Sequence, residues 1–165
     1  TNDRMFGESI AHGTIFRRAI EEDLIDPHKM VQIGQRTTGY SADDFEWVRQ
    51  QGVRVVNAEE CWYQSLTPLM AEVREQIGAE TPVYLSFDID GIDPAFAPGT
   101  GTPEPGGLTN TQAIEIIRGC WGLNLVGSDL VEVSPQYDTT GNTALLAANL
   151  VFEMLCSFPG CLRRD

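Results

Sequence analysis

A short apolar run, Val83 to Phe87, constrains the fold of this chain more than any other feature. The run is β-branched and aromatic, Pro82 precedes it, and a long loop rich in Gly, Pro and Thr follows, a pattern typical of a buried strand in a parallel sheet. Asp88 and Asp90 stand at its end. Because side chains two apart on a strand share a face, the spacing predicts that both carboxylates converge at the carboxyl edge of a sheet.

Two neighbouring carboxylates repel each other and favour a proton or a cation between them, so the leading interpretation of Asp88 and Asp90 is a divalent metal site. The alternative is structural, with the carboxylates capping the loop that follows, although Asp93 is the better candidate for that role. An EF-hand calcium loop is excluded because Gly99 stands where its final Glu is required. The glycine-rich loop lacks the Gly-Lys-Ser/Thr of a phosphate cradle.

Helical and strand-like patterns alternate along the rest of the chain. Helices are predicted over 15–24, 41–51, 67–78, 109–119 and 143–155, and strands over 30–34, 53–57, 83–87 and 123–133. Thr67 is the predicted N-cap of its helix, Thr109 and Gln112 form a predicted capping box, and 139–142 are predicted to cap a mostly buried last helix. The order predicts one α/β domain, a three-layer α/β/α sandwich with a parallel sheet.

Two further residues are candidates for chemistry. Glu132 ends the fourth predicted strand, where we expect it near Asp88 and Asp90. His12 lies in an irregular segment before a helix and is either an acid/base group, a metal ligand or a structural histidine. Asp129, of opposite parity to Glu132, is predicted to pair structurally with an Arg or a backbone amide.

Composition excludes several classes of partner. The formal net charge is -13 with 11 basic residues, which argues against a nucleic-acid groove or an anionic membrane surface. No apolar stretch reaches transmembrane length, and TNDRMFGES lacks the features of a signal peptide. The four cysteines have no zinc or redox spacing, so we expect reduced, mostly buried thiols in a cytoplasmic protein. The sequence contains no Gly-x-Ser-x-Gly elbow, so catalysis by a covalent nucleophile has little support.

The segment SFDIDGIDPAFAPGTGTPEPGGLT closely resembles the signature of the ureohydrolases, the family of arginases, agmatinases and guanidino-acid amidinohydrolases. HGTIFRRA, VQIGQR and DLVEVSPQYDTTGNTALLAANLVFEMLC are similar to agmatinase-type members. The resemblance implies a binuclear manganese enzyme that hydrolyses a guanidinium group to an amine and urea. By position in the motifs, Asp88 and Asp90 match metal ligands, His12 a proton shuttle, Glu132 a carboxylate that orients the guanidinium, and Thr102 a threonine near it.

The chain departs from the family pattern in one large respect. The family's G-G-D-H and D-A-H-x-D segments, which carry its other metal ligands, are not among these residues, and Thr1-Asn2-Asp3 resembles the continuation of the second segment. We therefore expect residues 1–165 to be the C-terminal half of a single ureohydrolase domain, with no turnover and no pair of manganese ions by itself. The resemblance also implies a homo-oligomer, either a trimer or a hexamer.

The substrate is predicted from the segment between Asn2 and Ile10, which we expect to line the pocket. Met5 and Phe6 favour an aliphatic spacer, and Asn2 or Arg4 is placed to meet a carboxylate. This pattern resembles guanidinobutyrase-type enzymes, so 4-guanidinobutyrate is the preferred substrate and agmatine the alternative. Two other classes stay open: a non-catalytic module with the ureohydrolase fold, and a structural α/β protein with a calcium-stabilised loop.

Overall fold

The computed structural model describes residues 1–36 and 41–161. The chain divides into two compact units, Thr1–Asn57 and Ala58–Asp165, and each is described by itself. Within the described ranges, no helix is long and apolar enough to cross a membrane.

The first unit pairs two helices with a small parallel sheet. Its helices are α1 (Ile15–Glu21) and α2 (Ala42–Gln50), its strands are β1 (Val31–Gln35) and β2 (Arg54–Asn57), and a 3-10 turn covers Pro27–Lys29. The two strands run parallel with Ile33 opposite Val56. Ile20, Val48 and Val53 form a buried core cluster. The Arg17 guanidinium lies 4.2 Å from the centre of the Trp47 ring, which ties α1 to α2 through a cation–π contact.

The second unit contains the predicted acidic segment. Its elements are α3 (Ala58–Cys61), α4 (Thr67–Ile77), β3 (Pro82–Asp88), α5 (Asn110–Gly119), β4 (Asn124–Val131) and α6 (Asn142–Ser157). Strands β3 and β4 pair in parallel, and the pairing ends with Asp88 opposite Val131. One buried core cluster of this unit comprises Phe87, Ile89, Ile92, Ala97, Ala113, Ile117, Ala147, Leu150 and Met154. Because both parallel strands end at one edge, residues 88–90 and 132 are brought to the same place.

Of the three predicted helix caps, only the one at Thr67 is wrong in position. The capping box of Thr109 and Gln112 is confirmed, with both reciprocal hydrogen bonds present. Helix α4, however, begins at Thr67 itself, with Leu66 as its N-cap and no side-chain cap. The N-cap of α6 is Gly141, within the predicted 139–142, but it provides no side-chain bond. The Asp138 carboxylate, further upstream, accepts from the backbone N–H groups of Thr143 and Ala144 at 3.2 and 2.8 Å.

The α/β class with parallel strands is as predicted, but two burial predictions are wrong. The described strands form two separate two-stranded sheets, and only Phe87 of β3 is buried, since a two-stranded sheet leaves much of each strand uncovered. Helix α6 was predicted to be mostly buried, yet Leu145, Phe152 and Leu155 are more than half exposed. It buries one stripe at helical spacing, which includes Leu150.

The four cysteines are free, as predicted, but only half of them are buried. Cys61 and Cys120 are buried, whereas Cys156 and Cys161 are exposed. The difference follows from position, because the exposed pair lies at the end of α6 and just beyond it.

Candidate active site

The acidic pair is held by a single turn at the end of β3. The strand ends at Asp88, and Asp90 lies in the 3-10 turn Ile89–Gly91. The Asp88 Oδ1 atom accepts a hydrogen bond from the Asp90 backbone N–H at 3.0 Å, and Ile89 between them is fully buried. The predicted proximity is present, but its predicted cause was wrong. The carboxylates approach through the tight turn, and a shared strand face plays no part.

The electrostatics of the pair show the repulsion expected from two close carboxylates. Desolvation by surrounding protein atoms and then the Asp90 charge raise the pKa of Asp88 above its usual range, and the charge of Glu132 acts in the same direction. The Asp88 side chain still reaches solvent at the surface of the unit. A cation placed between these carboxylates would relieve the repulsion and lower that pKa again.

Thr102 contacts the acidic pair from the glycine-rich loop, defined here as Ile92–Leu108. Its hydroxyl donates to Asp90 Oδ2 at 2.8 Å, which leaves the other carboxylate oxygen of Asp90 outside this bond. The threonine is exposed, so the bond fixes an orientation more than it stabilises the fold.

Glu132 follows β4 directly and turns the chain towards the glycine-rich loop. Its φ of +66° lies in the left-handed region, which is uncommon for a residue other than glycine. After it, Val133 forms an antiparallel bridge with Thr100, and the Ser134 N–H donates to the Gly99 carbonyl at 2.8 Å. The structure thus places Glu132 at the edge that carries Asp88, close enough for its charge to act on that group.

The other predicted site residues belong to the first unit. The Asn2 N–H donates to the Gly13 carbonyl at 3.0 Å, and Met5 is buried. A Cβ built on Gly13 would lie 2.9 Å from Met5 Sδ and 3.0 Å from Asn2 Nδ2, so both side chains pack against the residue next to His12. The His12 side chain is exposed. Asn2, Met5 and His12 are therefore gathered in one folded segment, and Phe6, at φ +54°, points largely to solvent.

Two acids that the sequence assigned to structure have structural contacts. Asp93 accepts from the Ala95 N–H at 2.8 Å and the Gly106 N–H at 2.7 Å, as expected of a loop cap. Asp129 accepts from hydroxyl groups, those of Tyr84 at 2.9 Å and Ser86 at 2.7 Å, and not from the Arg or backbone amide that was predicted. Hydroxyl partners come from the neighbouring strand β3, whose register could not be read from sequence.

The carboxylates of Asp88 and Asp90 suit a hard divalent cation. Carboxylate oxygens are ligands that Mn²⁺ and Mg²⁺ prefer. Among the described residues, no group of three or more His, Cys, Asp or Glu side chains is arranged to hold a metal ion. Asp88 and Asp90 are thus two carboxylates of the kind that such a cation prefers.

The geometry is that of an α/β protein with an acidic cluster at the carboxyl edge of its parallel strands and a long glycine-rich loop beside it. The chain belongs to the arginase family, whose family model matches residues 1–156. This match confirms the predicted ureohydrolase resemblance.

Particular relatives are close. The chain is 72% identical over 163 residues to guanidinobutyrase from Pseudomonas aeruginosa, covering 99% of this chain and 51% of that protein. It is 62% identical over 160 residues to mitochondrial agmatinase from Gallus gallus, covering 97% of this chain and 47% of that protein. Among solved structures, proclavaminate amidino hydrolase from Streptomyces clavuligerus superposes with a TM-score of 0.88 at 44% identity, covering 95% of this chain and 52% of that one. The chain thus spans about half the length of the curated relatives it matches, and the α/β fold class is confirmed.

Proposed function

We propose that the protein containing this chain hydrolyses a guanidino compound to an amine and urea, with 4-guanidinobutyrate as the preferred substrate and two Mn²⁺ ions per complete subunit. The observation that carries the proposal is the convergence of Asp88, Asp90 and Glu132 in a chain that is 72% identical to a guanidinobutyrase. In this proposal residues 1–165 are the C-terminal half of one ureohydrolase domain.

Asp88 and Asp90 are the residues that hold the metal. Their oxygens match the preference of Mn²⁺, and the proposal is supported by the raised pKa of Asp88, which follows first from desolvation and then from the neighbouring Asp90 charge. The chemistry that bound Mn²⁺ supplies is the activation of a water molecule for attack on the guanidinium carbon.

The other residues bind the substrate and move its proton. Glu132 accepts hydrogen bonds from the guanidinium, because a carboxylate is its natural charged partner. Thr102 orients Asp90 through its hydrogen bond. In this proposal Thr102 also lies near the substrate guanidinium. His12 holds the proton that the leaving amine takes up. Asn2 and Met5 contact the far end of the substrate: Met5 packs along an aliphatic spacer and Asn2 donates to a carboxylate.

The substrate is tested by measuring urea release from 4-guanidinobutyrate, 3-guanidinopropionate, agmatine and arginine, using the full-length protein with Mn²⁺ supplied. We expect 4-guanidinobutyrate to give the highest kcat/KM. A preference for agmatine by orders of magnitude would favour the alternative, for which the similarity to the chicken agmatinase is the supporting observation. No urea from any of the four would overturn the enzymatic proposal and favour a non-catalytic module.

Matched variants test the roles of individual residues. His12→Asn should lower kcat more than it changes KM, whereas His28→Asn, at the other histidine and also exposed, serves as the control.

Metal analysis of the purified protein separates manganese from calcium. Light scattering tests the proposed trimer or hexamer, and cell fractionation the proposed cytoplasmic location.

A further inference from the structure

The glycine-rich loop is closed firmly at its base but carries its functional residue near an exposed tip. At the base, the Asp93 N–H donates to the Leu108 carbonyl at 2.8 Å and the Leu108 N–H to the Gly91 carbonyl at 2.9 Å. Gly101, Thr102 and Pro103 are exposed. The position of the Thr102 hydroxyl therefore depends on what holds the loop between the tip and the base.

Gly106 holds the part of the loop between the exposed tip and the base. Both of its backbone polar groups are hydrogen-bonded. Its N–H donates to Asp93 Oδ2 at 2.7 Å, and its carbonyl accepts from the Trp62 indole Nε1–H at 2.9 Å. Its φ of +83° is one that glycine adopts without cost, and a Cβ at this position would lie 3.2 Å from Trp62 Cζ2. The indole thus contacts the loop four residues from Thr102.

The backbone on both sides of Trp62 in the sequence is held by α5. The Gln112 side chain donates to the carbonyls of Cys61 and Gln64, on either side of Trp62. The Glu115 carboxylate accepts from Ser65 Oγ and from the Leu66 N–H, each at 2.8 Å. Because the backbone around Trp62 is held by a helix, less freedom is lost when the indole N–H bonds the loop.

We propose that Trp62 is a positioning residue for the acidic site, acting through Gly106 to hold the glycine-rich loop so that Thr102 keeps its hydrogen bond to Asp90. The inference rests on the proposed function for its catalytic consequence, while its structural part stands on the two contacts of Gly106 alone. The sequence gives no sign of this role, because Trp62 and Gly106 are separated by 44 positions.

The test compares Trp62→Phe with Trp121→Phe in the full-length protein. Phenylalanine keeps an aromatic ring against Gly106 and removes the N–H, and Trp121 is a matched control that is 41% exposed where Trp62 is 45%. Amide hydrogen exchange is measured over residues 101–107. We expect about fivefold faster exchange in W62F, the factor that corresponds to one ordinary hydrogen bond, and no change in W121F. Unchanged exchange in W62F overturns the proposal whether or not the protein releases urea.

A double-mutant cycle tests the catalytic part. W62F should lower kcat/KM for the best guanidino substrate about fivefold in the wild-type background, and should have no further effect in a Thr102→Ala background, because the residue it positions is then absent. Equal losses in both backgrounds would show a general structural role and overturn the proposal. A wild-type protein without urea release would instead contradict the proposed function, and the exchange measurement would still decide the structural part.

Discussion

The glycine-rich loop returns to its own start so closely that Gly107 has no room for a side chain. A Cβ built there lies 2.7 Å from the Asp93 nitrogen, 2.8 Å from the Gly91 oxygen and 2.8 Å from the carbonyl carbon of Ile92. All three are backbone atoms, which cannot rotate away as the end of a flexible side chain can. Gly107→Ala must therefore separate the two segments that the bridge between Ile92 and Leu108 joins.

The cost of Gly107→Ala can be worked from these contacts. Separating the segments weakens the two backbone hydrogen bonds at the base, each contributing about 1 kcal/mol net, and overpacking adds about 1 to 3 kcal/mol. We expect the free energy of unfolding to fall by about 3 to 5 kcal/mol. Urea-induced unfolding of the full-length protein, followed by circular dichroism, gives the value.

The matched control is Gly101→Ala, in the same loop. A Cβ at Gly101 has no heavy atom within 4 Å, so this substitution should change the free energy of unfolding by less than about 1 kcal/mol. If the unfolding midpoints of the Gly107 and Gly101 variants agree within error, the base of the loop is not the tight crossing that the structure describes, and the reasoning fails.

Three further predictions concern the acidic cluster and the cap of α6. If Asp88 holds the metal as proposed, Asp88→Asn should lower bound manganese and kcat/KM by more than about 100-fold, because it removes a charged oxygen ligand. Asp23→Asn, at an exposed turn with φ +55°, should leave both unchanged. Elemental analysis measures the bound manganese, and urea release measures kcat/KM. The hydrogen bonds from Ala144 and Thr143 lower the pKa of Asp138 below its usual 3.8, so its contribution to stability is present above that value and lost as pH falls through the lower folded value. The stability difference between wild type and Asp138→Asn should thus be constant at neutral pH and shrink in acid; a constant difference down to pH 2 would contradict this. Glu132→Gly should lower kcat/KM about 10- to 100-fold without lowering the unfolding midpoint, because it removes a carboxylate but relieves a left-handed φ; a large loss of stability would contradict the assignment.

Apolar periodicity, together with capping residues and Gly and Pro at element ends, predicted the order and type of the long elements. The apolar stripe and capping box of α5 and the strand before Asp88 were found because each depends on residues close together in sequence. The short helix α3 was missed, since four residues carry no period. The predicted burial of α6 was wrong because hydrophobicity along a helix does not say which neighbours cover it.

In the candidate site too, the residues could be predicted from sequence but their contacts could not. Asp88, Asp90 and Glu132 could be named from sequence because they follow apolar runs. Glu132 lies near Asp88 because the two parallel strands end together, as expected, whereas the turn that joins Asp88 to Asp90 was not predicted. The hydrogen bonds that orient these residues could not be predicted either. Thr102 meets Asp90 across 12 positions, and Trp62 meets Gly106 across 44. Contacts of this kind depend on the path of an irregular loop, for which sequence offers no repeating pattern.

The left-handed conformation of Glu132 joins these observations. A glutamate at φ +66° carries a cost of about 1 to 2 kcal/mol that a glycine would avoid. The turn there ends the pairing of β4 with β3 and starts the bridge between Val133 and Thr100, so the same residue brings the chain alongside the glycine-rich loop. Glycine would make that turn more easily but would bring no charge to Asp88. The strained glutamate is thus best explained by its carboxylate, at the point where the two strands and the loop meet.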